Sequence, residues 1–132
     1  MHTVVAYLVA SAALCWLQVL LASLIHSKGW TPQGMLIAFG NRDNLPDAAG
    51  FAGRAKRAGA NFLESLPILA TVVLAASMAN ADPAKVSLGI TVFFWARLVY
   101  WFVYLAGIPY LRTLVWGVSI AGLGIIGAAA LG

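Results

Sequence analysis

From Thr3 to Ile25 the chain is apolar at almost every position, broken only by Ser11, Gln18 and Ser23. At about 1.5 Å per residue this run reaches about 33 Å, enough for a hydrocarbon core of about 30 Å. It predicts a first membrane-spanning helix over about 3–25. The run has no basic leading region and is longer than the apolar part of a signal peptide, so it reads as an uncleaved helix. His26 to Gly53 forms the longest polar break, rich in Gly, Pro, Asn and Asp. Those residues predict turns and irregular backbone, with a short apolar patch over Met35–Phe39 at the membrane interface. A second helix is predicted over about 51–80. Its first turns are basic, and Pro67 inside it predicts a kink. Asp82 before Pro83 is a helix-start signal, which opens a third helix over about 84–106. Gly107 and Pro109 break that helix, and a fourth follows over about 110–131. Gly117, Gly122, Gly124 and Gly127 on the fourth helix permit close approach of a neighbouring helix. The last two connections are short, so consecutive helices run antiparallel and both termini lie on one side.

Composition turns these runs into a membrane assignment. The chain has 132 residues, enough for one domain over 1–132. Of these, 62% are apolar and 9% charged, against about a quarter charged in soluble domains. The reading is an all-α integral membrane four-helix bundle in contact with lipid. The net charge of +4 does not imply nucleic acid, because the cations follow topology. Five of the eight fall between Lys28 and Arg57. With Arg112 they mark one side of the bundle, and Lys85 alone marks the side of the termini. The positive-inside rule makes the basic side cytoplasmic. The single cysteine, Cys15, offers neither an internal disulfide nor a metal set.

Within these apolar runs a few polar residues recur at helical spacing. Arg54, Arg57, Asn61 and Glu64 are spaced three, four and three apart and share one face of the second helix. Arg97, Tyr100 and Tyr104 do the same on the third, and Arg112 opens the fourth. A charge near the bilayer centre costs roughly 2.5–3.5 kcal/mol or more, so such groups face a bundle interior or a cavity. Polar groups on three helices at similar depth are expected to converge, within one chain or across a subunit contact. Arginine forks onto carboxylates, Glu64 can accept from an ammonium group, and Asn61 and the tyrosines can orient amides. This inventory suits a zwitterionic, peptide-like ligand beside a lipophilic reactant. The plainer alternatives are a solvated helix end for Arg54 and Lys56, and a structural network for Arg57, Asn61 and Glu64. Arg97 could pair with Glu64. Tyr100 and Tyr104 could belong to an aromatic belt, and Arg112 could snorkel to headgroups. The tryptophans, Trp16 to Trp116, read as packing or belt residues.

The run Arg54, Arg57, Ala58, Asn61, Glu64, Pro67, together with the segments ARLVYWFVYL and GIPYLR, resembles the MAPEG family. These are the membrane-associated proteins of eicosanoid and glutathione metabolism. The resemblance covers essentially the whole chain. It implies a homotrimer of four-helix bundles with glutathione bound between subunits near the cytoplasmic face. It further implies that Arg54, Arg57, Asn61 and Glu64 hold glutathione, with Arg97, Tyr100 and Tyr104 lining the site. Arg112 would be the catalytic residue that stabilises the glutathione thiolate. Thr113 would donate to the sulfur, and Lys28 would reach a neighbour's ligand. The implied activity is glutathione conjugation or lipid hydroperoxide reduction on lipophilic electrophiles, in a bacterial inner membrane, with no metal. The alternatives are a non-catalytic lipid-binding member and a small four-helix multidrug transporter. The transporter class would place its carboxylate in the first helix, which here carries no charge.

Overall fold

The computed structural model describes residues 2–132. Met1, the first residue of the domain expected over 1–132, lies outside them. Among the described residues every regular element is a helix: α1 His2–Ser27, α2 Pro32–Phe39, α3 Gly50–Met78, α4 Pro83–Ala106 and α5 Pro109–Leu131. The helices α1, α3, α4 and α5 are each long and apolar enough to cross a bilayer. The chain is an integral membrane four-helix bundle. The α1–α3 and α4–α5 connections lie at one end, called here the loop end. The α3–α4 connection lies with the termini at the other.

The helix ends follow local chemistry. Helix α1 stops where Lys28 adopts a left-handed conformation, φ 54°, and the Gly29 amide turns back to the Leu24 carbonyl at 2.8 Å. Helix α4 starts at Pro83, with the Ala84 amide donating to Asp82 Oδ1 at 2.9 Å. It ends at Gly107, φ 77°, whose left-handed backbone lets the Ile108 amide reach the Val103 carbonyl. Pro109 then opens α5. Pro67 lies inside α3, and the Thr71 hydroxyl one turn later donates to its carbonyl at 2.8 Å.

The expected irregular stretch after α1 is not irregular throughout. Pro32–Phe39 is a helix, capped by the Thr31 hydroxyl, which accepts from the Gly34 amide at 3.0 Å. Thr31 followed by Pro32 is a helix-start pair. Gly34 is there for contact: a Cβ on it would lie 1.9 Å from the Lys28 carbonyl oxygen. What looked like turn composition is a cap and a close approach.

The helices α4 and α5 form the tightest seam. A Cβ on Gly122 would lie 2.7 Å from the Gly89 carbonyl oxygen and 2.8 Å from the Phe93 nitrogen. Backbones touch there, as small residues allow between membrane helices. A Cβ on Gly117, Gly124 or Gly127 would meet nothing within 4 Å, so of the four α5 glycines only Gly122 serves packing inside the chain. Around this seam Phe62, Leu69, Ile90, Phe93 and Ile126 are fully buried. Phe62 and Phe93 meet with ring centroids 6.0 Å apart. The outward faces are apolar: Trp16, Leu74 and Leu114 are more than three-fifths exposed. In a bilayer those faces meet acyl chains.

Candidate functional site

Near the loop end α3, α4 and α5 bring their polar faces together. The centre is Arg97, on α4, with no exposed surface at all. Its Nη1 donates to Asn61 Oδ1 on α3 at 2.9 Å. The guanidinium lies 4.7 Å from the Phe62 ring centroid and 4.6 Å from that of Tyr100. A buried cation is held here by one neutral amide and two ring faces. Cation–π contacts of this kind contribute roughly 0.5–2 kcal/mol each. The Arg97 Nε and its second terminal nitrogen have no hydrogen-bond partner.

One turn beyond Tyr100 on α4, Tyr104 is gripped from two sides. Arg57 Nε donates to its hydroxyl at 3.3 Å, and the Arg112 guanidinium stacks 4.6 Å over its ring. Tyr100 and Tyr104 meet edge to face with centroids 5.4 Å apart. Each aromatic therefore orients an arginine, and the rings fix each other. Asn61, Tyr100, Arg112, Thr113 and Trp116 line a small open cavity of about 180 Å³. The Thr113 hydroxyl donates to its own helix, to the Pro109 carbonyl at 3.3 Å, so its one proton is not free for the donation to sulfur that the resemblance implies. The wall carries a cation and hydrogen-bonding groups but no carboxylate, so it favours an anionic guest.

The residues expected at the site, from helical spacing or from the resemblance, divide into two groups. Arg57, Asn61, Arg97, Tyr100, Tyr104 and Arg112 are joined in one cluster by these contacts, and Thr113 shares the cavity wall. Within it Arg97 is a support rather than a wall residue, and its hydrogen-bond partner is Asn61, not Glu64. Lys28, Arg54 and Glu64 are not joined to it inside the chain. Arg54 donates from Nε to the Leu105 carbonyl at 3.0 Å, capping the end of α4. Glu64 is exposed on α3, and Lys28 is exposed in the turn after α1. Trp116, read as packing or belt, belongs to the cavity wall. Its spacing from Arg112 and Thr113, four and three residues on one helix face, carried that signal.

Sequence comparison with curated proteins returned no match. Comparison with protein families is decisive, because the MAPEG family model matches residues 3–132. The chain belongs to the MAPEG family.

Proposed function

We propose that this protein is a glutathione-dependent transferase or peroxidase acting on lipophilic electrophiles delivered from the bilayer. The observation that carries the reading is the position of Arg112. It stacks on Tyr104 and lines the cavity beside Asn61, Tyr100 and Thr113. A thiol seated there meets a fixed cation. An unperturbed thiol has a pKa of about 8.5, and a nearby cation favours the thiolate. The thiolate attacks an electrophilic carbon, forming a carbon–sulfur bond as the leaving group departs with the electron pair. With a hydroperoxide it attacks an oxygen, releasing an alcohol. The resulting sulfenic acid is reduced by a second glutathione to the disulfide and water. Arg57 and Asn61 bind the peptide part of glutathione, while Arg97 holds Asn61 and Tyr100 in place.

One chain supplies part of this site. The cavity is about 180 Å³, against roughly 300–1,000 Å³ for pockets that enclose a small molecule. Glu64, a carboxyl on a membrane-spanning helix, is exposed at the chain surface, a costly placement in lipid. Both features fit a homotrimer in which a neighbour covers Glu64 and completes the pocket, with Lys28 reaching across. The basic loop end faces the cytoplasm by the positive-inside rule, and a bacterial inner membrane is the expected host.

The test is a glutathione titration of the purified protein with thiolate absorbance followed in the ultraviolet. Saturable thiolate formation at neutral pH is the expected result, and its absence at millimolar glutathione would refute the proposal. A non-catalytic, lipid-presenting role is the second reading. The apolar cleft of about 320 Å³ at the terminal end, lined by Val4, Leu8, Val73 and Val86, speaks for it. That reading expects lipid binding with no thiolate signal.

A further inference from the structure

A second polar cavity lies on a different face of the bundle, in the groove between α1 and α3 at the loop end. It encloses about 450 Å³. Val19 and Ala22 of α1 and Ala60 and Leu63 of α3 form its walls, and Arg42, Asp47 and Lys56 carry its charge. Two cations face one carboxylate, so the rim is net positive. None of these residues belongs to the Arg57–Arg112 cluster.

The roof of this groove is built, not draped. Arg42 has a left-handed backbone, φ 62°, which a residue with a side chain adopts only against a steric cost. That conformation folds its guanidinium back. Nη1 donates to the Ser23 hydroxyl on α1 at 2.7 Å, while Nε and Nη2 donate to the Ala38 carbonyl at 3.3 and 2.9 Å. Three of the five guanidinium N–H groups are used and two stay free. His26 Nε2 pairs with the Pro46 carbonyl at 2.7 Å, tying down the same connection. Lys56 is exposed and forms no hydrogen bond among the described residues, so its ammonium is available.

Depth identifies the guest. Helix α2, directly before this roof, exposes Leu36 and Phe39 at 75% and 83%, with Trp30 ahead of it at 68%. A short helix with such side chains outward sits in the interface, where headgroups meet acyl chains. Val19 and Leu63 below the cations are themselves exposed, so the lower wall of the groove is apolar and open to acyl chains. A cationic rim at headgroup depth over an apolar wall matches one chemistry. We propose that this groove binds an anionic glycerophospholipid, its phosphate held between Arg42 and Lys56 and an acyl chain laid along Val19 and Leu63.

The experiment is native mass spectrometry of the full-length protein from detergent micelles, with equimolar phosphatidylglycerol and phosphatidylcholine of matched chains. Phosphatidylglycerol adducts are expected to dominate. Each basic residue near a membrane surface is worth about fivefold in affinity, so Lys56→Gln should reduce the preference by about that factor and Lys56→Arg should retain it. Arg42→Gln should act likewise. Lys56→Gln stays informative if Arg42→Gln loosens the roof, because Lys56 holds no structural bond. Glutathione binding should be unchanged in both variants. Equal retention of the two lipids, or a preference unmoved by both neutral variants, would overturn the proposal. So would displacement of the lipid by millimolar inorganic phosphate alone, which would assign the rim to a free anion. Loss of the oligomer in these variants with lipid preference intact would assign the groove to a second copy of the chain and equally overturn it.

Discussion

The two ends of this bundle are held together by opposite means. Toward the terminal end, α4 and α5 close on backbone: Gly89 and Gly122 leave no room for a methyl group, and Ile90, Phe93 and Ile126 fill the space beside them. Toward the loop end α3, α4 and α5 meet through long side chains, and three arginines are held by ring faces, an amide and a phenol. The first arrangement is dense and has no chemistry to offer. The second is polar and cationic, and opens into a cavity. Backbone packing and the proposed site thus occupy different lengths of the same helices.

This division can be broken most severely at the seam. Gly122→Val places a branched side chain where a Cβ already meets backbone at 2.7 Å, and neither helix can yield by turning a rotamer. A loss of about 3 kcal/mol or more is expected, read as a fall in the thermal unfolding midpoint in detergent. The next largest effect lies at the other end. Arg97→Met removes the donor to Asn61 and the cation between Phe62 and Tyr100. Charged hydrogen bonds contribute about 1.5–3 kcal/mol, so glutathione affinity should drop on the order of tenfold or more, while circular dichroism still reports a helical bundle. Tyr104→Phe keeps the ring under Arg112 but loses the acceptor for Arg57. A loss of about 1 kcal/mol is expected, near fivefold in affinity by calorimetry. The smallest change sharpens the comparison from the packing side. Gly124→Ala adds a methyl where nothing lies within 4 Å, so stability should hold or rise by about 0.5 kcal/mol, read as an unchanged or slightly raised midpoint. A large loss there would mean that this face of α5 is packed in the assembly.

Hydropathy made the architecture legible because a bilayer leaves the chain few options. A backbone crossing lipid must satisfy its own hydrogen bonds, so a long apolar run in this class is a helix. Ends were harder. The third connection was readable from Gly107 and Pro109, but Pro32–Phe39 was obscured because proline, threonine and glycine serve caps as well as turns. At the site, spacing revealed which residues share a helix face, and Arg57, Asn61, Tyr100 and Tyr104 do face one another. Spacing is silent about what covers that face. It did not tell the buried Arg97 from the cavity-lining Arg112, nor assign Arg54 to the end of α4. Trp116 is ambiguous in the sequence because an aromatic near a helix start suits a membrane belt as well as a cavity wall. The α5 glycines show the same ambiguity, since four small residues looked alike until one was found to touch backbone.

In the proposed function the loop-end arginines hold glutathione as a thiolate, with Arg112 supplying the decisive charge. The most direct test compares wild type and Arg112→Ala in one ultraviolet thiolate titration at neutral pH, with binding measured in parallel. With a pKa of about 8.5, only a few per cent of the free thiol is ionised under those conditions. Wild type should convert most of the bound glutathione to thiolate, and Arg112→Ala should bind with similar affinity and lose that signal. Thiolate of equal intensity in both proteins, or in neither, would contradict the claim.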